Sequence, residues 1–129
     1  MRTIALALLL ATIAMSASAE VKTREDAKGR PLEVVGLADP TNCNPFDFDG
    51  TIVKRDFAPD AVKLIGIVVE ASDGTREFIN VSIPEDLNMA LRGNVYRALQ
   101  VLTRTGRRVS GRTFACGAAG RVQDLDAIR

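Results

Sequence analysis

The sequence predicts a mostly β domain with one helix, an α+β fold class, and residues 64–105 carry most of that prediction. Residues 64–69 are apolar at every position except Gly66, which is typical of a strand buried on both faces. Asp73 and Gly74 are residues that a tight hairpin turn favours. The return strand alternates apolar and polar residues up to Ile83, so one face is expected in the core.

A helix is predicted to begin at Pro84, where two acidic residues follow near the positive end of the helix dipole. Gly93 indicates a close packing contact, because glycine inside a helix costs about 1 kcal/mol relative to alanine. Arg104 and Gly106 are typical of a helix end. Apolar residues recur at spacings of three and four and form one stripe toward the core: Leu87, Leu91, Val95, Ala98, Leu99 and Leu102.

The remaining segments predict further strands on either side of this unit. Residues 32–37 form a short edge strand or a packed extended segment, and residues 38–49, rich in proline, asparagine and aspartate, are expected to be a loop. Strands are predicted over residues 51–57 and 107–116. Residues 117–120 are predicted as a turn, and residues 122–128 as a last strand or a helical turn.

The first 19 residues have the features of a secretory signal peptide. Arg2 supplies a positive charge, residues 4–15 are almost entirely apolar, and cleavage is predicted after Ala19. An apolar run of about a dozen residues is too short to cross about 30 Å of hydrocarbon, so no stable membrane insertion is expected after cleavage. The predicted location is the bacterial periplasm or the exterior, with residues 20–31 as a flexible leader and residues 32–129 as one domain.

Two cysteines, Cys43 and Cys116, are predicted to form a disulfide in an oxidising compartment. The bond would close a loop of 72 intervening residues. By lowering the entropy of the unfolded chain, it would stabilise the fold by about 4 kcal/mol. Two free buried thiols are the alternative. A catalytic thiol is less favoured, because the sequence contains no histidine to activate it.

The order of predicted elements is strand, strand, strand, helix, strand, with a possible last strand. It resembles that of small exported OB-fold proteins over about 80 residues. The resemblance implies a five-stranded barrel in which the helix lies between the third and fourth strands and plugs one end.

Residues 46–52, Phe-Asp-Phe-Asp-Gly-Thr-Ile, are similar to the Asp-x-Asp-Gly-Thr nucleophile motif of haloacid-dehalogenase phosphatases. The resemblance implies a nucleophile at Asp47 and an acid/base at Asp49, beside a magnesium ion at the tip of a buried strand. The segment before Asp47 does not have a strand pattern, and a turn at residues 49–50 explains the residues as well. Asp47 and Asp49 are also weak candidates for a calcium site.

Residues 69–75 are similar to a shortened form of the Asp-Gly-Asp-Thr turn of thermonucleases, which are exported OB-fold barrels. The resemblance implies an alternative function, a divergent metal-dependent nuclease or phosphodiesterase. The sequence lacks the second aspartate of that turn. The sequence also contains no histidine, which excludes a Ser-His-Asp triad and disfavours the usual zinc sites. We therefore assign no catalytic residue and no cofactor.

Charge is unevenly distributed along the chain. Removal of residues 1–19 leaves 16 basic and 16 acidic residues, yet residues 87–129 contain 8 arginines and only two aspartates. Planar guanidinium groups suit phosphate, carboxylate or sulfate. The candidate anion-binding residues are Arg104, Arg107, Arg108 and Arg112; the alternative is a solvated surface whose charges pair across the barrel.

These observations favour a non-enzymatic exported binding module that contacts an anionic ligand, an acidic envelope component or a protein partner. Nucleic acid is not expected, because such barrels need aromatic platforms and this chain has one tyrosine and five phenylalanines. A third possibility is a structural envelope protein without a small ligand.

Overall fold

The computed structural model describes residues 21–116 and 122–129. The predicted signal peptide and the predicted turn at residues 117–120 lie outside the described residues. No helix in the described part of the chain is long and apolar enough to span a membrane. The elements are β1 (Lys22–Glu25), β2 (Pro31–Val35), β3 (Cys43–Phe57), β4 (Leu64–Glu70), β5 (Arg76–Asn80), α1 (Met89–Leu102), β6 (Arg108–Cys116) and β7 (Gln123–Ile128).

Five of the strands close into a small barrel in the order β3, β4, β5, β7 and β6, with β6 pairing again with β3. All barrel pairings are antiparallel except that of β5 with β7, which is parallel and consists of the pair Asn80 and Asp124. The fold class is therefore confirmed, and the closed barrel is compatible with an OB-like fold. The helix position is corrected: because two strands precede the barrel, α1 lies between β5 and β6.

Strand β3 is shared by two ladders and is the longest strand. Its first part, Cys43 to Thr51, pairs with β6, and its second part, Thr51 to Phe57, pairs with β4. Gly50 lies where the ladders meet, and a Cβ there would collide with the backbone of Glu70. The prediction of a loop over residues 38–49 is wrong from Cys43 onward, because pairing with β6 satisfies the backbone despite a poor local propensity for strand.

The N-terminal part of the described chain forms a hairpin of β1 and β2. Its turn is closed by the Asp26 carboxylate, which accepts hydrogen bonds from the backbone amides of Lys28 and Arg30 at 2.8 and 2.9 Å. Val21 and Val34 are buried in the core. Within the segment predicted as a flexible leader, residues 22–25 thus form a strand, and the apolar residues at the open end of the hairpin attach it to the body.

Helix α1 begins five residues later than predicted from Pro84. The Asn88 side chain caps it by accepting a hydrogen bond from the Leu91 amide at 2.8 Å. The predicted stripe is confirmed, with four residues buried and Leu87 and Leu91 partly buried against the core. The packing role predicted for Gly93 is wrong, since nothing lies within 4 Å of a Cβ built there.

The strand β4 is less enclosed than its apolar sequence predicts, because Ile65 is 43% exposed. Gly66 allows a close approach: a Cβ there would lie 2.8 Å from the ring of Phe78. The alternation on the return strand is confirmed, since three apolar residues are buried: Ile79, Val81 and Ile83. The last segment, predicted as either a strand or a helical turn, is the strand β7.

Candidate functional site

The predicted disulfide between Cys43 and Cys116 is confirmed and joins two residues directly opposite each other on β3 and β6. Their Cα atoms are 4.2 Å apart. The pair ends the β3–β6 ladder, and both cysteines are partly exposed. The disulfide is consistent with an oxidising, exported location.

The disulfide forms part of the wall of a cavity of about 900 Å³. Three other segments complete the lining: residues 36–41 before β3, residues 82–86 between β5 and α1, and residues 124–125 of β7. These segments are distant in sequence and meet because β5, β6 and β7 are neighbours in the closed barrel. We call this end of the molecule the cavity end.

The charged residues that line the cavity are all acidic within the described part of the chain: Asp39, Glu85, Asp86 and Asp124. The Thr41 hydroxyl donates a hydrogen bond of 2.7 Å to the Asp39 carboxylate and lowers the pKa of Asp39, with a further contribution from the Thr41 amide. Among residues 21–116 and 122–129, no three acidic or cysteine side chains converge closely enough to hold a metal ion. The described charged residues of the cavity lining are therefore all negative, and the described residues form no metal site.

Arg112, one of the four predicted anion-binding arginines, pairs with a buried carboxylate of the barrel. Its Nε and Nη2 atoms donate to one carboxylate oxygen of Asp126 at 2.9 and 2.7 Å. The other oxygen of Asp126 accepts a hydrogen bond from the Ala38 amide at 3.2 Å. Because the Asp126 side chain is only 5% exposed, this pair fixes β6, β7 and the segment before β3 together.

The other three arginines lie together in and beside a turn, residues 103–108, which we call the arginine turn. Arg108 pairs with Asp49 at 3.2 Å, but the two side chains are 70% and 63% exposed. Arg104 and Arg107 are exposed and form no salt bridge with any carboxylate of the described residues. Arg104, Arg107 and Arg108 therefore lie at one end of β6. Arg112 differs from them because it pairs with a buried carboxylate.

Backbone hydrogen bonds hold the arginine turn against β3. The Gly106 amide donates to the Ile52 carbonyl at 2.8 Å, and the Ile52 amide donates to the Arg107 carbonyl at 3.0 Å. Gly106 has a φ of 93°, a conformation that favours glycine. Arg108 and Cys116 are the two ends of β6, so the arginine turn and the disulfide lie about 27 Å apart along the strand.

The aspartates of the two motifs identified in the sequence lie on the outer face of β3 and in a hairpin turn. Asp47 and Asp49 alternate with buried Phe48 on β3, so they lie on its outer face, where Asp47 is opposite Arg112. Asp73 accepts a hydrogen bond from the Thr75 amide at 2.9 Å and so closes the β4–β5 hairpin. Sequence reasoning missed the four carboxylates of the cavity, since no local motif joins them.

No protein-family model matches the chain, and no curated protein and no solved structure matches it at a significant level.

Proposed function

We propose that the chain is an exported, non-enzymatic binding module, a small OB-fold-like barrel that contacts an anionic ligand or protein partner through the arginine turn. The observation that carries the proposal is the position of Arg104 and Arg107, which are exposed together and form no salt bridge with the described carboxylates. The location that goes with it is the periplasm or the exterior, after cleavage behind Ala19.

The energetics of the two paired arginines support this choice of surface. The Asp126 side chain is only 5% exposed, whereas that of Arg112 is 48% exposed. Removing Arg112 would leave a desolvated carboxylate without its cation, so Arg112 is committed to the fold. The exposed pair of Arg108 with Asp49 contributes at most about 1 kcal/mol, so Arg108 can exchange Asp49 for an external anion. Three guanidinium groups are then available at one end of β6.

The charge distribution favours a large acidic partner over a small anion. The cavity end carries four carboxylates, and the arginine turn lies about 27 Å away along β6, so the molecule is polarised along this direction. Such a polarised molecule approaches an extended acidic surface with the arginine turn first. An acidic envelope component or an acidic protein has the required extent.

Binding to heparin, used as a sulfated polyanion, tests the proposal. We expect the variant Arg104→Gln plus Arg107→Gln to bind heparin at least about tenfold more weakly than the parent in low salt, and binding of the parent to weaken as salt rises. The matched control is Lys22→Gln plus Lys28→Gln, which removes two exposed charges from the N-terminal hairpin. Unchanged binding by the arginine variant, an equal loss in the control, or insensitivity to salt would refute the proposal.

A further inference from the structure

The disulfide is the most reactive chemical group in the wall of the cavity. Cys43 and Cys116 both line the cavity and are partly exposed, so a small molecule in the cavity can approach the bond. Exposed disulfides exchange with thiols more readily than buried ones. Thiol exchange at this bond would therefore take place at the cavity surface.

The lining controls which thiols can approach. Four carboxylates line the cavity together with the disulfide, and no basic residue among the described ones lines it. The pKa of Asp39 is lowered by the Thr41 hydroxyl, so this carboxylate is charged at neutral pH. Concave surfaces with one sign of charge concentrate molecules of the opposite sign and exclude those of the same sign.

Opening the bond is compatible with a folded barrel. The β3–β6 ladder holds the two strands together through nine residue pairs, of which the cysteine pair is only the last. The segment before β3 is held independently, since the Leu37 amide donates to the Asp126 carbonyl and the Ala38 amide donates to the Asp126 carboxylate. These hydrogen bonds of Leu37 and Ala38 do not depend on the disulfide.

We infer that Cys43–Cys116 is a thiol-exchange site entered from the cavity, which reacts with cationic low-molecular-weight thiols in preference to anionic ones. A thiolate attacks one cysteine sulfur, the S–S bond breaks, and the other cysteine leaves as a thiolate. A second thiolate of the same compound then attacks the mixed disulfide and releases the first cysteine. The two protein thiolates take protons from water, and the two small thiols supply the two electrons as they form their own disulfide.

Reduction kinetics of the native protein test the charge preference. Three probes of similar size are used: cysteamine, which is cationic, 2-mercaptoethanol, which is neutral, and 2-mercaptoethanesulfonate, which is anionic. Each rate is divided by the rate for the same protein unfolded in urea, a ratio that removes differences in intrinsic thiol reactivity. We expect a cationic-to-anionic preference of about tenfold in low salt, falling toward unity in 1 M salt, where the screening length is about 3 Å.

Two double variants with the same change in charge locate the effect. Glu85→Gln plus Asp124→Asn removes half of the cavity carboxylates and is expected to reduce the preference to about threefold. Glu70→Gln plus Asp73→Asn, at the tip of the β4–β5 hairpin, is the control and should keep the full preference.

Three results would overturn the inference. The first is an equal normalised rate for the three thiols, and the second is a preference that the cavity variant leaves unchanged. The third is reduction that occurs only as the far-ultraviolet circular dichroism of the barrel is lost, since the exchange would then require global unfolding.

Discussion

At the cavity end, the chain is joined by a disulfide, and in the middle of β6 Arg112 holds the buried Asp126 carboxylate, whereas the arginine turn is held by backbone hydrogen bonds and one exposed ion pair. The same strand, β6, connects the two ends. The comparison shows that charged side chains on one strand can differ completely in role. Arg112 holds a buried carboxylate, whereas Arg104 and Arg107 are exposed and form no salt bridge with a carboxylate of the described residues.

Removing the disulfide is expected to have the largest effect on stability. We expect Cys43→Ser plus Cys116→Ser to lower the free energy of unfolding by about 4 kcal/mol, because the bond restricts a long loop of the unfolded chain. Urea denaturation followed by circular dichroism measures the change. A loss below about 1 kcal/mol would mean that the cavity end does not depend on the covalent bond.

The two paired arginines of β6 provide the next comparison. Arg112→Ala leaves the buried Asp126 carboxylate without its cation and is expected to cost about 2 kcal/mol of stability, since the Ala38 amide still donates to it. Arg108→Ala breaks the exposed pair with Asp49 and should cost less than about 1 kcal/mol. Equal losses in the two variants, measured by urea denaturation, would remove the distinction between the two ends.

Replacing Gly106 by alanine tests the backbone conformation of the arginine turn. Gly106→Ala is expected to destabilise the protein by about 1 to 2 kcal/mol, since its φ of 93° is unfavourable for residues with a Cβ. Gly93→Ala is the matched change in α1, where the space is open, and should stabilise the protein by up to about 1 kcal/mol. Thermal denaturation of both variants gives the sign of each effect, and a neutral Gly106→Ala would show that the turn rearranges freely.

The smallest expected effect is the pH dependence contributed by Asp39. Hydrogen bonds from the Thr41 hydroxyl and amide lower the pKa of Asp39 below its ordinary value of 3.8. The associated stability is present above pH 3.8 and is lost as pH falls through the lower folded-state pKa. Carboxyl titration by NMR should show a lower pKa for Asp39 in the parent than in Thr41→Val, and identical values would contradict the assignment.

Local patterns in the sequence predicted the central unit well. Asp73 and Gly74 form the hairpin turn, Gly74 has a φ of 88°, and the stripe from Leu91 to Leu102 faces the core. The disulfide was predictable because Cys43 and Cys116 are the only cysteines. Each of these predictions depends on residues close in sequence or on a pairing without alternatives.

The features that the sequence did not reveal depend on contacts between distant segments. Residues 43–49 have the composition of a loop, and they form a strand because β6 pairs with them from more than 60 residues away. The helix begins at Met89 and not at Pro84 because the Asn88 side chain caps it there. The cavity carboxylates come from three places in the sequence that only the closed barrel brings together.

The sharing of β3 between two ladders has a consequence for the order of folding. Its pairing with β4 crosses a short connection, whereas its pairing with β6 must wait for β5 and α1 to be placed, with the cysteines 73 residues apart in sequence. Non-local pairings of this kind slow folding. Oxidation of the two cysteines before the barrel closes would set the register of the β3–β6 ladder in advance, so the oxidised chain should refold faster than the reduced chain in stopped-flow experiments.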